Sequence, residues 1–287
     1  MANQARALTW DVFVAPERPI VSNDLPPDLT PRTWAPISAT LISGEQDAVL
    51  VDALLTSDQA LALGSWVAAS NRNLTTIYIT HGHGDHFFGL GLLLDRFPRA
   101  RAVATPAVIK QMLQQSTSNL VETYWNVLLP GQIPRQLVVA EPLVGGTIEV
   151  EGHDLVVVDV GHTDTDSTTC LHVPVIDLLV AGDAVYNDVH LFLSESNTRG
   201  RQDWIAALDL IESLRPRAVV AGHKRPGAED GPHSIEETRR YLRDFDTADR
   251  STSTAQDLYN GVVGLHPNRV SRGTLWGSAR AHKPLAR

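Results

Sequence analysis

The sequence predicts an α/β protein of αββα type, two mixed β-sheets packed face to face with helices on the outside. Three observations carry this. The β-rich runs fall into two sets, each followed by helical segments, so the second half of the chain resembles the first, and sheets packed on each other need helices on their outer faces. No short-period repeat is visible, which sets aside a solenoid. The 287 residues, 43% hydrophobic and 20% charged, suit one large domain with a substantial core rather than a disordered chain.

Taken in order, Trp10 to Ala15 reads as a short strand. The stretch holding Pro26, Pro27, Pro31 and Pro36 reads as an irregular excursion over about residues 16–36 that could cover a site, with Trp34 either walling a pocket or simply packing. Ile37 to Ser43 and Ala48 to Asp52 form a hairpin through Gly44-Glu45-Gln46-Asp47. A helix is expected from about Ser57 to Asn71, a strand over Leu74 to Thr80, and a helix over Phe87 to Phe97, where apolar residues recur at helical spacing. Ala100 to Ala104 is a strand, and Pro106 opens a helix running through Tyr124, proline being suited to a first turn. Gln136 to Val160 is strand-rich around a Gly145-Gly146 turn. Asp177 to Ala181 and Ala218 to Ala221 are apolar strands, separated by a loop, Ala184 to Arg201, and a helix from about Gln202 to Leu214. The C-terminal helical extension, about residues 234–287, alternates charged and apolar residues over Ser234 to Val263. Tyr241, Phe245, Leu258 and Val262 would pack there on a sheet or on the second subunit of a homodimer. His266, Trp276 and the basic tail Arg280 to Arg287 suggest no function.

The formal net charge of −9 argues against a grip on phosphate backbones, so no nucleic-acid partner is expected. The single cysteine, Cys170, excludes an intrachain disulfide and reads as a small buried side chain. Met1 to Trp10 has no apolar stretch of signal-peptide length and no run reaches membrane-spanning length, so no membrane partner and a cytoplasmic location are expected.

The chemistry is concentrated in Thr80-His81-Gly82-His83-Gly84-Asp85-His86. Three imidazoles and a carboxylate within six residues form a donor set that borderline divalent metals prefer. The stretch lies where a strand ends and a helix begins. Alternation puts His81 and His83 on one side of the chain, with Asp85 and His86 free to face a second point nearby. Asp52 ends a β-rich run. His162 follows the run Leu155 to Val160, Asp183 follows Val180-Ala181-Gly182, and His223 follows Val220-Ala221-Gly222. Taken singly, each of these three reads as a structural residue at a strand end.

His-Gly-His-Gly-Asp-His resembles the His-x-His-x-Asp-His signature of the metallo-β-lactamase-fold hydrolases, and His162, Asp183 and His223 then stand in the order that family shows. The resemblance runs from about Ile37 to His223. It implies a single domain of that αββα fold over residues 1–287. It also implies two divalent metal ions, zinc first with manganese, iron or cobalt as alternatives, one held by His81, His83 and His162 and the other by Asp85, His86 and His223, with Asp183 bridging. Asp52 would support the ligands from behind. The implied reaction is attack on a carbonyl by a hydroxide shared between the cations, with Asp85 passing a proton to the leaving group. Tyr186, three residues after Asp183, is placed like the tyrosine that stabilises the carbonyl oxygen in lactonases of the family; a core tyrosine is the alternative. Tyr186, Asn187, His190, Phe192 and Glu195 are suited to contacting a small-molecule substrate. Lactone or ester hydrolysis is the leading expectation. Thioester or β-lactam hydrolysis, a mononuclear iron dioxygenase acting on persulfides, and a non-catalytic scaffold are the alternatives.

Overall fold

Residues 8–285 are described by a computed structural model; the first seven residues and the last two of the basic tail, 286–287, lie outside it. The first half of the chain contributes β1 (Thr9–Ala15), β2 (Arg18–Pro19), β3 (Thr33–Trp34), β4 (Ile37–Ser43), β5 (Asp47–Val51), α1 (Ser57–Ala69), β6 (Asn73–Tyr78), α2 (Gly84–Phe87), α3 (Leu90–Arg96), β7 (Arg101–Ala104) and α4 (Pro106–Gln115). Then come α5 (Ser118–Leu120), a π-helical turn (Val121–Trp125), α6 (Asn126–Leu128) and β8 (Glu141–Pro142). The second half contributes β9 (Thr147–Val150), β10 (His153–Gly161), β11 (Thr168–Val173), β12 (Leu178–Asn187), α7 (Thr198–Ser213), β13 (Ala218–Lys224), α8 (His233–Ser251), α9 (Ala255–Leu265) and α10 (Arg272–His282).

Two mixed sheets result, in the order β1-β4-β5-β6-β7-β8 and β13-β12-β11-β10-β9, with β2 and β3 pairing separately. Alternation along single strands sets the layers, because successive strand residues point to opposite faces. In β5, Val49 and Val51 turn to the other sheet while Ala48 and Leu50 turn to the first set of helices. In β12, Leu178 and Val180 meet the first sheet, whereas Leu179 and Ala181 join a core with Trp204, Tyr241, Phe245 and Leu258. Three apolar layers therefore separate helices, sheet, sheet and helices, as expected of an αββα sandwich. The C-terminal aromatic and aliphatic residues pack within the chain against the second sheet. No helix among the described residues is long and apolar enough to cross a membrane.

Several boundaries differ from expectation for local reasons. The helix predicted through Tyr124 stops at Gln115, where the Thr117 hydroxyl donates to the Gln114 carbonyl at 2.9 Å and Thr117 itself is extended. Hydroxyls that bond nearby carbonyls compete with helix in this way. Asp52 leaves β5 with φ 65°, so it stands beyond the strand rather than ending it. β12 continues to Asn187 and β13 to Lys224, so Asp183, Tyr186 and His223 lie inside strands rather than after them. α10 lies within the helical extension expected over about residues 234–287.

The outer helices are tied by Arg201 on α7, which is fully buried. It donates to Asp246 Oδ1 (2.6 Å) and Asp249 Oδ2 (3.1 Å) on α8 and to the Ser196 carbonyl (2.8 Å). Removing one side of a buried ionic cluster leaves uncompensated charge. Arg201→Met is expected to destabilise the fold by about 3–5 kcal/mol in denaturant titration; a loss below about 1 kcal/mol, the worth of an exposed pair, would show the cluster to be solvated.

Candidate metal centre

The site forms where polar links tie one sheet to the other. The Thr169 amide and hydroxyl both donate to the Thr80 carbonyl (3.0 and 2.6 Å), Ser38 Oγ donates to the Ala221 carbonyl (2.6 Å), and His223 Nδ1 donates to the Pro36 carbonyl (2.7 Å). Against that frame, the loop after β6 and the short α2 carry His81, His83, Asp85 and His86, while β12 and β13 carry Asp183 and His223. The β12–β13 ladder is irregular there, with four steps from Gly182 to Tyr186 opposing two from Ala221 to His223. Such bulges re-aim side chains. Asp183 is turned onto Gly222, where a Cβ would stand 2.1 Å from Asp183 Oδ1, so only glycine leaves it room.

Two groups of donors result. His81, His83, Asp164 and Asp183 form one and Asp85, His86 and His223 the other, each with ligand atoms within 4.8 Å of one another. Asp183 lies against both, with Oδ1 3.3 Å from His86 Nε2, Oδ2 3.1 Å from His223 Nε2 and Oδ2 4.0 Å from His81 Nε2.

The hydrogen bonds on the far side of each ring fix what faces inward. His86 Nδ1 donates to Asp52 Oδ2 at 2.9 Å, and Thr80, whose amide and hydroxyl also donate to Asp52, sits 3.0 Å from His81 Nδ1. With the Nδ1 atoms of His81, His86 and His223 committed, each neutral ring turns a bare Nε2 lone pair toward carboxylate oxygen. His81 Nε2, His86 Nε2 and Asp183 Oδ1 are buried with no hydrogen-bond partner among the described residues. Lone pairs facing lone pairs at such distances call for a cation or for protons between them. The side chains therefore fit divalent metal.

The same electrostatics set the ionisation. Burial lowers His81 well below the ordinary histidine value, and the neighbouring His86 adds to this. Burial also works against charge on His83 and His86, but the carboxylates of Asp164 and Glu195 raise the first, and those of Asp183, Asp52 and Asp85 the second. Burial acts to raise Asp183, yet His223 and His86 carry it well below the usual carboxylate range.

Six of the seven expected ligands are thus brought together, and His162 is not. Its ring turns outward, with Nδ1 2.6 Å from Asp166 Oδ1 and Nε2 3.2 Å from Ser196 Oγ, and it lies over Gly200 at the start of α7. Asp164, two residues on and fully buried, takes the inward position instead, 2.9 Å from His83 Nδ1 and 3.9 Å from His81 Nε2. Sequence reading missed it because Thr163 to Thr169 reads as a polar turn; two carboxylates directly after a buried strand were the available signal. Tyr186 also differs from the oxyanion role. It is fully buried, stacks on His223 and gives its one hydroxyl proton to Asp183 Oδ2 at 2.8 Å. His190 lies away from the cluster, bonded to Tyr241. Glu195 faces His83 Nε2 at 3.4 Å, and Trp34 Nε1 donates to Asp85 Oδ2 at 3.0 Å. A cavity of about 460 Å³ opens onto His83, Asp85, Asp164, Asp183 and His223, with Trp34, Trp125 and Phe192 in its walls.

A family model described as the metallo-beta-lactamase superfamily matches residues 32–223. No curated protein is significantly similar in sequence. Among solved structures, a metallo-beta-lactamase family protein from Thermus thermophilus is 21% identical with a TM-score of 0.61, covering 94% of this chain and 91% of its own. A metallo-beta-lactamase from Pontibacter korlensis is 16% identical with a TM-score of 0.59, covering 82% of this chain and 100% of its own. The FIM-1 metallo-beta-lactamase of Pseudomonas aeruginosa, in its mono-zinc form, is 14% identical with a TM-score of 0.58, covering 83% of this chain and 91% of its own. These likenesses concern the fold.

Asp164→Ala is expected to remove about one equivalent of bound metal by elemental analysis, and His162→Ala to leave the stoichiometry intact; the reverse result would return His162 to the ligand set.

Proposed function

Because the chain belongs to the metallo-β-lactamase superfamily, we propose that it is a metal-dependent hydrolase acting on the carbonyl of a small molecule, an ester or lactone first. The observation that carries this reading is the set of inward-facing lone pairs of His81, His86 and His223 around the Asp183 carboxylate, at the floor of a cavity of small-molecule size. Divalent cations held by His81, His83, Asp164 and Asp183 and by Asp85, His86 and His223 would supply Lewis acidity and acidify water. Zinc is the first choice for an imidazole and carboxylate set, with manganese, iron and cobalt open to the same donors.

The chain's own groups then divide the remaining work. Asp52 fixes the orientation of His86 directly and of His81 through Thr80. Trp34 holds one oxygen of Asp85 at the cavity wall, where that carboxylate would take the proton given up by the attacking water and pass it to the leaving group. Tyr186 orients Asp183 and leaves the developing oxyanion to other groups. Two donor groups rather than one support a pair of ions over the mononuclear iron reading. β-Lactam hydrolysis is the second reading, and the solved neighbours favour it as a fold likeness. The reading takes a soluble small molecule as partner in the cytoplasm, and the net charge of −9 works against nucleic acid.

The test is elemental analysis of the purified protein followed by a panel of lactones, aryl esters, thioesters and a chromogenic cephalosporin. Metal-dependent turnover of at least one ester or lactone is expected, abolished by a chelator and by Asp183→Ala; a metal-loaded protein inert on the whole panel would contradict the reading. Tyr186→Phe is expected to weaken metal retention by about 10–100-fold, as loss of a partner behind a ligand does. Reduced turnover with metal retention unchanged would restore an oxyanion role for that hydroxyl.

A further inference from the structure

The cavity over the candidate metal centre carries one arginine among its lining residues and no lysine. That residue, Arg32, is built into the wall. Its side chain is only 19% exposed and lies across α10, where Gly273 and Gly277 share one face. A Cβ at Gly273 would meet Arg32 Cγ at 2.8 Å and one at Gly277 would meet Nη2 at 2.7 Å, so two glycines a helical turn apart make the groove that holds it. Nε donates to the Gly273 carbonyl at 3.2 Å and Nη1 to the Asp24 carbonyl at 3.4 Å.

These anchors are neutral. The nearest carboxylate oxygen, Asp24 Oδ2, is 3.7 Å from Nη1, beyond hydrogen bonding. The other Asp24 oxygen is taken by Trp276 Nε1 at 2.8 Å and stands 3.4 Å from Arg280 Nε. Among the described residues nothing accepts a hydrogen bond from Arg32 Nη2. A guanidinium so held, with donors to spare and its charge only partly balanced, is a planar fork that suits a carboxylate.

Its position relative to the metal ligands follows from the chain. Trp34, whose indole holds Asp85, is two residues after Arg32, and residues two apart on an extended chain share a side and are separated by about 6–7 Å. Ile20, Leu120, Trp125 and Leu128 give the wall an apolar stretch, beside the polar Gln115 and Tyr124, and the one glutamate of the lining, Glu195, faces His83.

We propose that Arg32 is an anion-binding residue of the substrate pocket, selecting carbonyl substrates that carry a carboxylate separated from the scissile group by a short apolar span. This rests on the hydrolase reading, and the experiment separates the two. The metal-loaded protein is assayed on the mono-4-nitrophenyl ester of adipic acid, which keeps a free carboxylate, and on 4-nitrophenyl hexanoate, its neutral counterpart of equal length.

The wild type is expected to prefer the acid ester in kcat/KM by about tenfold or more, the worth of one hydrogen bond to a charged group. Arg32→Met should collapse that ratio toward one, mainly through KM, and Arg32→Lys should keep more of it. A purely structural Arg32 would depress both substrates together and leave the ratio standing, and that result, or equal rates in the wild type, overturns the proposal. Should neither ester be hydrolysed, binding is read without turnover, and hexanoate is titrated against tryptophan fluorescence. Saturable quenching weakened at least tenfold in Arg32→Met still supports the anion site, and identical titrations overturn it.

Discussion

A carboxylate sunk as deeply as that of Asp183, 1% exposed at the meeting of two sheets, costs several kcal/mol unless its charge is answered nearby. Tyr186 donates to it, and His86 and His223, whose Nε2 atoms stand within 3.3 Å, answer its charge once a cation or protons lie between. The strand bends to deliver it, and Gly222 withholds a side chain to let it in. Much of the rest can be understood as support for that one placement. The links from Thr80 to Thr169, Ser38 to Ala221 and His223 to Pro36 fix the distance between the halves of the sandwich where the two donor groups meet. The layered cores on either side make those links rigid, because close-packed interiors transmit displacement rather than absorb it.

The sandwich itself was legible because its strands have unambiguous periods. β5 and β12 turn alternate residues to different cores, and their apolar runs announce this in the primary structure. The cluster around His81 was legible because imidazoles at that density have few other uses. What escaped was set by tertiary position. Nothing local distinguishes Asp164 from Asp166, yet one is fully buried against His83 and the other lies outside, paired with His162. The outward turn of His162 depends on Ser196 and Gly200, more than thirty residues away. The commitment of the Tyr186 hydroxyl to Asp183 is likewise tertiary, since three residues' separation in a regular strand would put the two on opposite faces, and only the irregularity in β12 brings them together.

The donor groups and the outer walls of the cavity belong to different parts of the chain. The donors come from the sandwich, inside the stretch that matches the superfamily and ending with it at His223. The walls come from the excursion before β4, from the broken helical segment around Trp125, and from α10, which lies beyond that match. Asp24 and Asp28 tie the excursion to Trp276 and Tyr259, so the N-terminal and C-terminal segments form one lining over the site. Chemistry held by strands and selectivity held by surrounding segments is a common division, because loops can change without disturbing a core.

The most direct test of the metal centre is anomalous scattering from a crystal of the protein, recorded at the absorption edge of the metal that elemental analysis finds. Two peaks are expected, one among His81, His83, Asp164 and Asp183 and the other among Asp85, His86, His223 and Asp183. A map with no peak at Asp183, or with His162 turned inward and Asp164 displaced, would contradict the arrangement.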